Sequence, residues 1–108
     1  MIENRIKING RETSFILGQS AKENHEIIDD ADINDWWFHL DDYPSGHCII
    51  EKSEISKEDV IYASNLIKNN SKYRNLKVKV CYTQVKNIKK TKTLGEVDIL
   101  VKPNLITI

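Results

Sequence analysis

Residues 76–83, LKVKVCYT, alternate side chain by side chain, and a repeat of two is the period of a strand, not of a helix. The alternation sends Val78, Val80 and Tyr82 to one face and Lys77, Lys79, Cys81 and Thr83 to the other. Other segments carry weaker versions of the same signal. RIKI and TSFIL flank NGRE, where Asn9-Gly10 is a strong hairpin dipeptide, so the chain should open with two short antiparallel strands. DWWFHL and HCIIEK read as a second hairpin across a turn from Tyr43 to Gly46. EVDILV and LITI read as closing strands joined across Lys102-Pro103-Asn104, and VKNIKKTKTLG as an irregular or short-strand loop.

Two helices complete the pattern. The first starts at Ser20, which with Glu23 has the spacing of a capping box, and it should be short or frayed where Asp29, Asp30 and Asp32 oppose the helix dipole. The second opens at Ser56 with Asp59, carries Val60, Ala63 and Ile67 on one face, and closes near Asn69 and Asn70. Strands outnumber helices without regular interleaving. The expected class is therefore α+β, with a mixed, largely antiparallel sheet and two helices. At 108 residues the chain has room for one core, so residues 1–108 form a single domain. With no basic leader and no apolar run of membrane-spanning length, it reads as a soluble cytoplasmic protein without a membrane partner. Cys48 and Cys81 lie in β-branched runs, where reduced, buried thiols are expected.

The formal net charge is zero, from 16 basic and 16 acidic residues, yet the signs are sorted along the chain. Residues 1–52 carry a balance of minus 6 and residues 53–108 a balance of plus 6. Between Lys68 and Lys92 there are nine positive charges and no acidic residue. Tyr73, Tyr82 and several Asn, Ser, Thr and Gln side chains are interleaved with them. A surface built only for solubility mixes signs; a cationic stretch with stacking and hydrogen-bonding residues suits a nucleic-acid backbone. The candidate binding residues are Lys72, Arg74, Lys77, Lys79, Lys86, Lys89, Lys90 and Lys92.

Catalytic readings are weaker. His39 and His47 could approach across the turn, with Cys48 and Cys81 as conceivable zinc ligands, but Cys48 follows His47 directly and a regular strand points it the other way. Ser45 with His47, or Cys48 with His39, lacks a nucleophile elbow, and Asp41-Asp42 diverge as neighbours on a strand or turn. Only four glycines are present and none are clustered, so no phosphate-cradling loop exists. No catalytic residue, metal or cofactor is assigned.

The stretch NDWWFHLDDYPSGHCII resembles the D-I/L-W-F-H…P-G-S-H-V-I/V-I segment of the NFACT RNA-binding domain. VCYTQVKNIKKTKTLGEV is similar to that domain's V-x-Y-T-x-x-K-x-V-K-K-P-x-G-x-x-x-G-x-V segment, in the same order. ILGQSAKEN fits its G-K/R-N-x-x-x-N opening less closely, and SKYRN is similar to the end of its second helix. The resemblance spans residues 10–108. It places Asp35, Trp37, Phe38, His39, Pro44 and His47 at the first motif and Tyr82, Thr83, Lys86, Lys89, Lys90 and Gly95 at the second. Ser45-Gly46 reverses the family's Gly-Ser, Thr91 replaces a proline, and Trp36 stands at an Ile or Leu site.

The resemblance implies an RNA-binding module of the small standalone kind, meeting tRNA or ribosomal RNA in translation or ribosome quality control. Trp36 and Phe38 should face the core, with Trp37 and His39 on the opposite face shaping a surface. The acidic first half should turn away from the RNA. Two alternatives stand beside this: a protein-interaction adaptor on the ribosome or its translation factors, and a non-specific DNA-binding module.

Overall fold

Asn9 and Gly10 both adopt positive φ, 54° and 77°, the geometry that a two-residue hairpin turn demands. They join β1 (Ile2–Ile8) to β2 (Arg11–Leu17), paired from Ile2 opposite Leu17 to Ile8 opposite Arg11. The computed structural model describes residues 1–108. After α1 (Ala21–Asp30) come β3 (Trp36–Leu40) and β4 (Cys48–Ile50), which form the expected hairpin, and then α2 (Lys57–Asn69). The chain continues through β5 (Lys79–Gln84), a 3-10 turn at Val85–Asn87, β6 (Ile88–Lys90), β7 (Val97–Ile99) and β8 (Asn104–Thr107). No helix is long and apolar enough to cross a membrane.

Six strands make one sheet in the order β1-β2-β4-β3-β5-β8, and every neighbouring pair is antiparallel. The class is α+β as expected, with the sheet antiparallel throughout. The segment EVDILV departs from its reading as a closing strand of this sheet. Its β7 leaves the main sheet and pairs with β6, Lys90 opposite Val97, as a separate two-stranded ribbon. Local alternation marks a strand but cannot name its partner.

Both helices begin where their caps predict. The Ser56 hydroxyl accepts from the Asp59 N–H at 3.1 Å while the Asp59 carboxylate accepts from the Ser56 N–H at 2.9 Å, a complete capping box. At α1 the Ser20 hydroxyl accepts from the Glu23 N–H at 3.1 Å, but the Glu23 carboxylate takes the Gln19 N–H, one residue earlier. The far end of α1 does not stop short of its aspartates; it runs through Asp29 and Asp30. Lys90 of β6 forms an ion pair with Asp29 there, which offsets the unfavourable charge at the helix end.

The sheet is covered on both faces. On one, α2 packs Val60, Ala63 and Ile67 against Phe15, Leu17, Phe38, Leu40, Cys48, Ile50 and Val80. On the other, α1, the 3-10 turn and the β6–β7 ribbon bring Ile27, Val85 and Ile88 onto Trp37, Ile49 and Cys81. This second layer corrects the expectation for the two tryptophans. Trp36 and Phe38 do face α2, but Trp37, expected to shape a surface, is 1% exposed and is the largest fully buried side chain. Each such side chain contributes about 1.5–3 kcal/mol by leaving water, so the second face holds a true core.

Candidate nucleic-acid interface

On the α1 side of the sheet, alternation along β3 puts Trp37 and His39 in one column, and their rings stack at 5.9 Å with planes 2° apart. The chain after β3 turns back through Pro44, Ser45 and Gly46, and His47 enters beside them just before β4. Its ring meets His39 edge-on at 4.8 Å and Trp37 edge-on at 5.4 Å. The reversed Ser-Gly pair still seats this histidine. Gly46 passes so close to the end of β2 that a Cβ there would run into the Gly18 carbonyl oxygen, and the Gly18 N–H donates to the His47 carbonyl at 2.9 Å.

The chemistry of His47 follows from its bonds. The Trp37 indole N–H donates to His47 Nδ1 at 3.0 Å, so Nδ1 is bare and the proton of the neutral ring sits on Nε2. The residue is 3% exposed. Burial, and then the nearby rings of His39 and His25, push its pKa down to about 3, so the ring is neutral at physiological pH. Burial lowers that of His39 as well. The His47 backbone N–H donates to Asn24 Oδ1 at 3.0 Å, which ties the turn to α1.

Asp35 serves architecture. Its carboxylate accepts from the Asp32 N–H at 3.0 Å and its carbonyl from the Val85 N–H at 2.8 Å, pinning the approach to β3 against the 3-10 turn. Phe38 lies in the α2 core, stacked 5.0 Å from Tyr82. Thr83 is buried and its hydroxyl accepts from the Asn87 amide at 2.9 Å. Cys81 lies beside His39 across the β3–β5 pairing, while Cys48 is on the opposite face. Burial raises the Cys81 thiol to about 11, so it is a poor nucleophile near neutrality.

The two histidines look into a cleft of about 820 Å³. Its walls are the start of α1 (Ser20, Ala21 and Asn24), the turn from Asp41 to His47, the segment after α2 (Ser71, Lys72 and Tyr73) and the loop and strand from Thr93 to Ile99. Four stretches of the chain that are well separated in sequence contribute. Sequence reasoning found His39, His47 and Lys72 but missed Asn24 and the start of α1. A signal existed, because Asn24 stands at the last Asn of the G-K/R-N-x-x-x-N pattern.

All eight predicted cations, Lys72, Arg74, Lys77, Lys79, Lys86, Lys89, Lys90 and Lys92, are exposed. Of these only Lys90 is ion-paired, to Asp29 of α1. The acidic half therefore does not turn wholly away, because α1 crosses the sheet beside β6. Lys86 donates to Asn34 Oδ1 at 3.3 Å, and Lys89 stands opposite Asp98 in the ribbon. Lys72 lines the cleft, Lys92 sits next to its wall at Thr93, Lys79 lies toward the same sheet face as Cys81, and Lys77 precedes β5.

In fold, the chain matches the C-terminal structure of the fibronectin/fibrinogen-binding protein from Streptococcus suis with a TM-score of 0.87 and 24% identity, over 98% of this chain. The match spans 44% of that protein's resolved chain. A comparison with curated proteins finds no match. Residues 6–99 match the model of the NFACT protein RNA binding domain, which takes in both tryptophan–histidine motif and lysine segment, and the chain belongs to that family.

Proposed function

We infer that this protein is a non-catalytic RNA-binding module that contacts tRNA or ribosomal RNA through its basic surface, acting in the cytoplasm in translation or ribosome quality control. The observation that carries the reading is the state of the eight cations: all are exposed, and seven have no carboxylate partner. Charges left unpaired at a surface are free to replace the counterions of a phosphate backbone. Engagement of about three to five phosphates gives a slope of log K against log salt of about −2 to −4, with little sequence readout.

The test is fluorescence anisotropy with a labelled tRNA and a length-matched DNA duplex across a salt series. A folded Lys86→Glu, Lys89→Glu, Lys92→Glu variant is expected to bind tRNA at least about tenfold more weakly and with a shallower salt slope. Equal affinity for the DNA duplex would make the module a general backbone reader. Absence of tRNA binding by the unaltered protein at low salt would remove the RNA reading.

One observation favours the adaptor reading. Leu94, Ile99, Leu100, Val101 and Leu105 are exposed aliphatic side chains near the C-terminal strands, with Leu100 at 59%. Exposed apolar groups of this kind suit a protein partner. An association with translation proteins that survives ribonuclease would support it.

A further inference from the structure

His47 is a buried side chain with one ring nitrogen satisfied and the other open. Trp37 fixes Nδ1 as the acceptor, and Nε2–H forms no hydrogen bond within the protein and is open to the cleft that its ring lines. A donor held this way, on a residue 3% exposed, is oriented before anything binds. The start of α1 lines the same cleft. Ser20 caps the Glu23 N–H, which leaves the Ala21 amide at the first helical position, where no intrahelical acceptor exists. Lys72 adds a full positive charge to the lining and Thr93 a hydroxyl, while the Ser45 and Ser71 hydroxyls already donate to the Gly46 and Lys68 carbonyls. A helix start, a neutral imidazole donor and an ammonium together suit a phosphate oxygen.

The rest of the lining argues against a bare anion. Asp41 and Glu96 are also in the walls, and carboxylates repel a phosphate but accept from the amino groups of a base. Pro44, Tyr73 and Leu94 supply flat or apolar surface. A volume of about 820 Å³ lies within the range of small-molecule pockets, on the order of 300–1,000 Å³, and is ample for one nucleotide.

Building on the RNA-binding reading, we propose that this cleft takes a single unpaired nucleotide of the RNA, its phosphate received by the Ala21 amide, His47 Nε2–H and Lys72. The lysine surface then supplies affinity for the backbone, and the cleft supplies a fixed point on the strand. The phosphate is either a terminal monoester or an internal diester, and both present the same oxygens to these donors.

The test uses the intact chain labelled with ¹⁵N, titrated with a short single-stranded RNA carrying either a 5′-phosphate or a 5′-hydroxyl, and separately with adenosine 5′-monophosphate. The expected result is a neutral Nε2–H tautomer for His47 in the free protein, with its ring and the Ala21 amide shifting on addition of each RNA. Tighter binding of the 5′-phosphorylated strand, by about tenfold, identifies the monoester as the source; equal binding identifies the diester. Lys72→Ala, an exposed change that leaves the core untouched, is expected to weaken the nucleotide about three- to tenfold. If RNA binds and shifts the lysine segment while His47 and Ala21 stay unmoved, the cleft proposal is wrong and the RNA reading stands. If neither strand binds at all, the RNA reading itself has failed.

Discussion

The two faces of the six-stranded sheet are covered by one helix each, yet they handle buried polar groups in opposite ways. Beneath α2, Asp59 is 1% exposed and is bound by Lys52 at 2.7 Å and by the Ser56 amide, while Lys52 donates also to Thr13. Burial raises the Asp59 pKa, but those hydrogen bonds and the Lys52 charge outweigh it and hold the carboxyl below its ordinary value. Beneath α1, His47 is nearly as buried, and only one side of its ring is closed. The α2 face turns its polar contacts inward and serves stability. The α1 face keeps a donor aimed at the cleft, whereas the buried polar atoms left without a partner, Asp59 Oδ1 and Ser64 Oγ, both lie on α2, away from it.

The largest expected effect tests whether stability and binding are divided this way. Phe38→Ala empties the centre of the α2 face and should cost about 3–5 kcal/mol in urea unfolding, with the affinity of the folded fraction for tRNA changed by less than about twofold. A tenfold loss of affinity in that fraction would break the comparison. On the other face, Gly46→Ala forces a methyl group against the Gly18 carbonyl and should cost about 2–3 kcal/mol, while also displacing His47 and its signal in the histidine spectrum.

Acid should separate the faces by pH. His47 is neutral when folded, whereas an unfolded imidazole takes up a proton below about 6.5. Stability is therefore lost as pH falls from about 6.5 toward 3, by about 1.4 kcal/mol per pH unit from this ring. Asp59 behaves differently. Its contribution is complete above the ordinary carboxylate value and disappears only as pH falls through its lowered one, so it responds below about pH 4. Urea midpoints measured from pH 7 to pH 3, with the titration of His47 followed by NMR, will show whether the loss begins with the histidine. Flat stability between pH 6.5 and 5 would contradict the burial of His47 as a neutral ring.

The smallest effect concerns the cations. Lys92→Ala should weaken tRNA binding about threefold and reduce the salt slope by about 0.7–0.9 if Lys92 contacts a phosphate, whereas Lys90→Ala should do less than half as much because Asp29 already neutralises it. Equal effects in an anisotropy salt series would mean that RNA displaces the ion pair.

Several features were legible in the chain because their causes are local. Asn9-Gly10 specifies its turn by the φ values it tolerates, Ser56 and Asp59 cap α2 across three residues, and the alternation of Val78, Val80 and Tyr82 marks the side of β5 and its approach that faces α2. The tryptophan–histidine motif and the lysine segment likewise identified the family before any geometry was known. Tertiary structure decided the rest. That Trp37 is interior, that β7 pairs with β6, that Asp29 reaches Lys90, and that α1, two loops and the 41–47 turn enclose one cleft all depend on contacts between segments far apart in sequence. A residue's spacing records which side of its own element it occupies; what covers that side is set by how the whole chain packs.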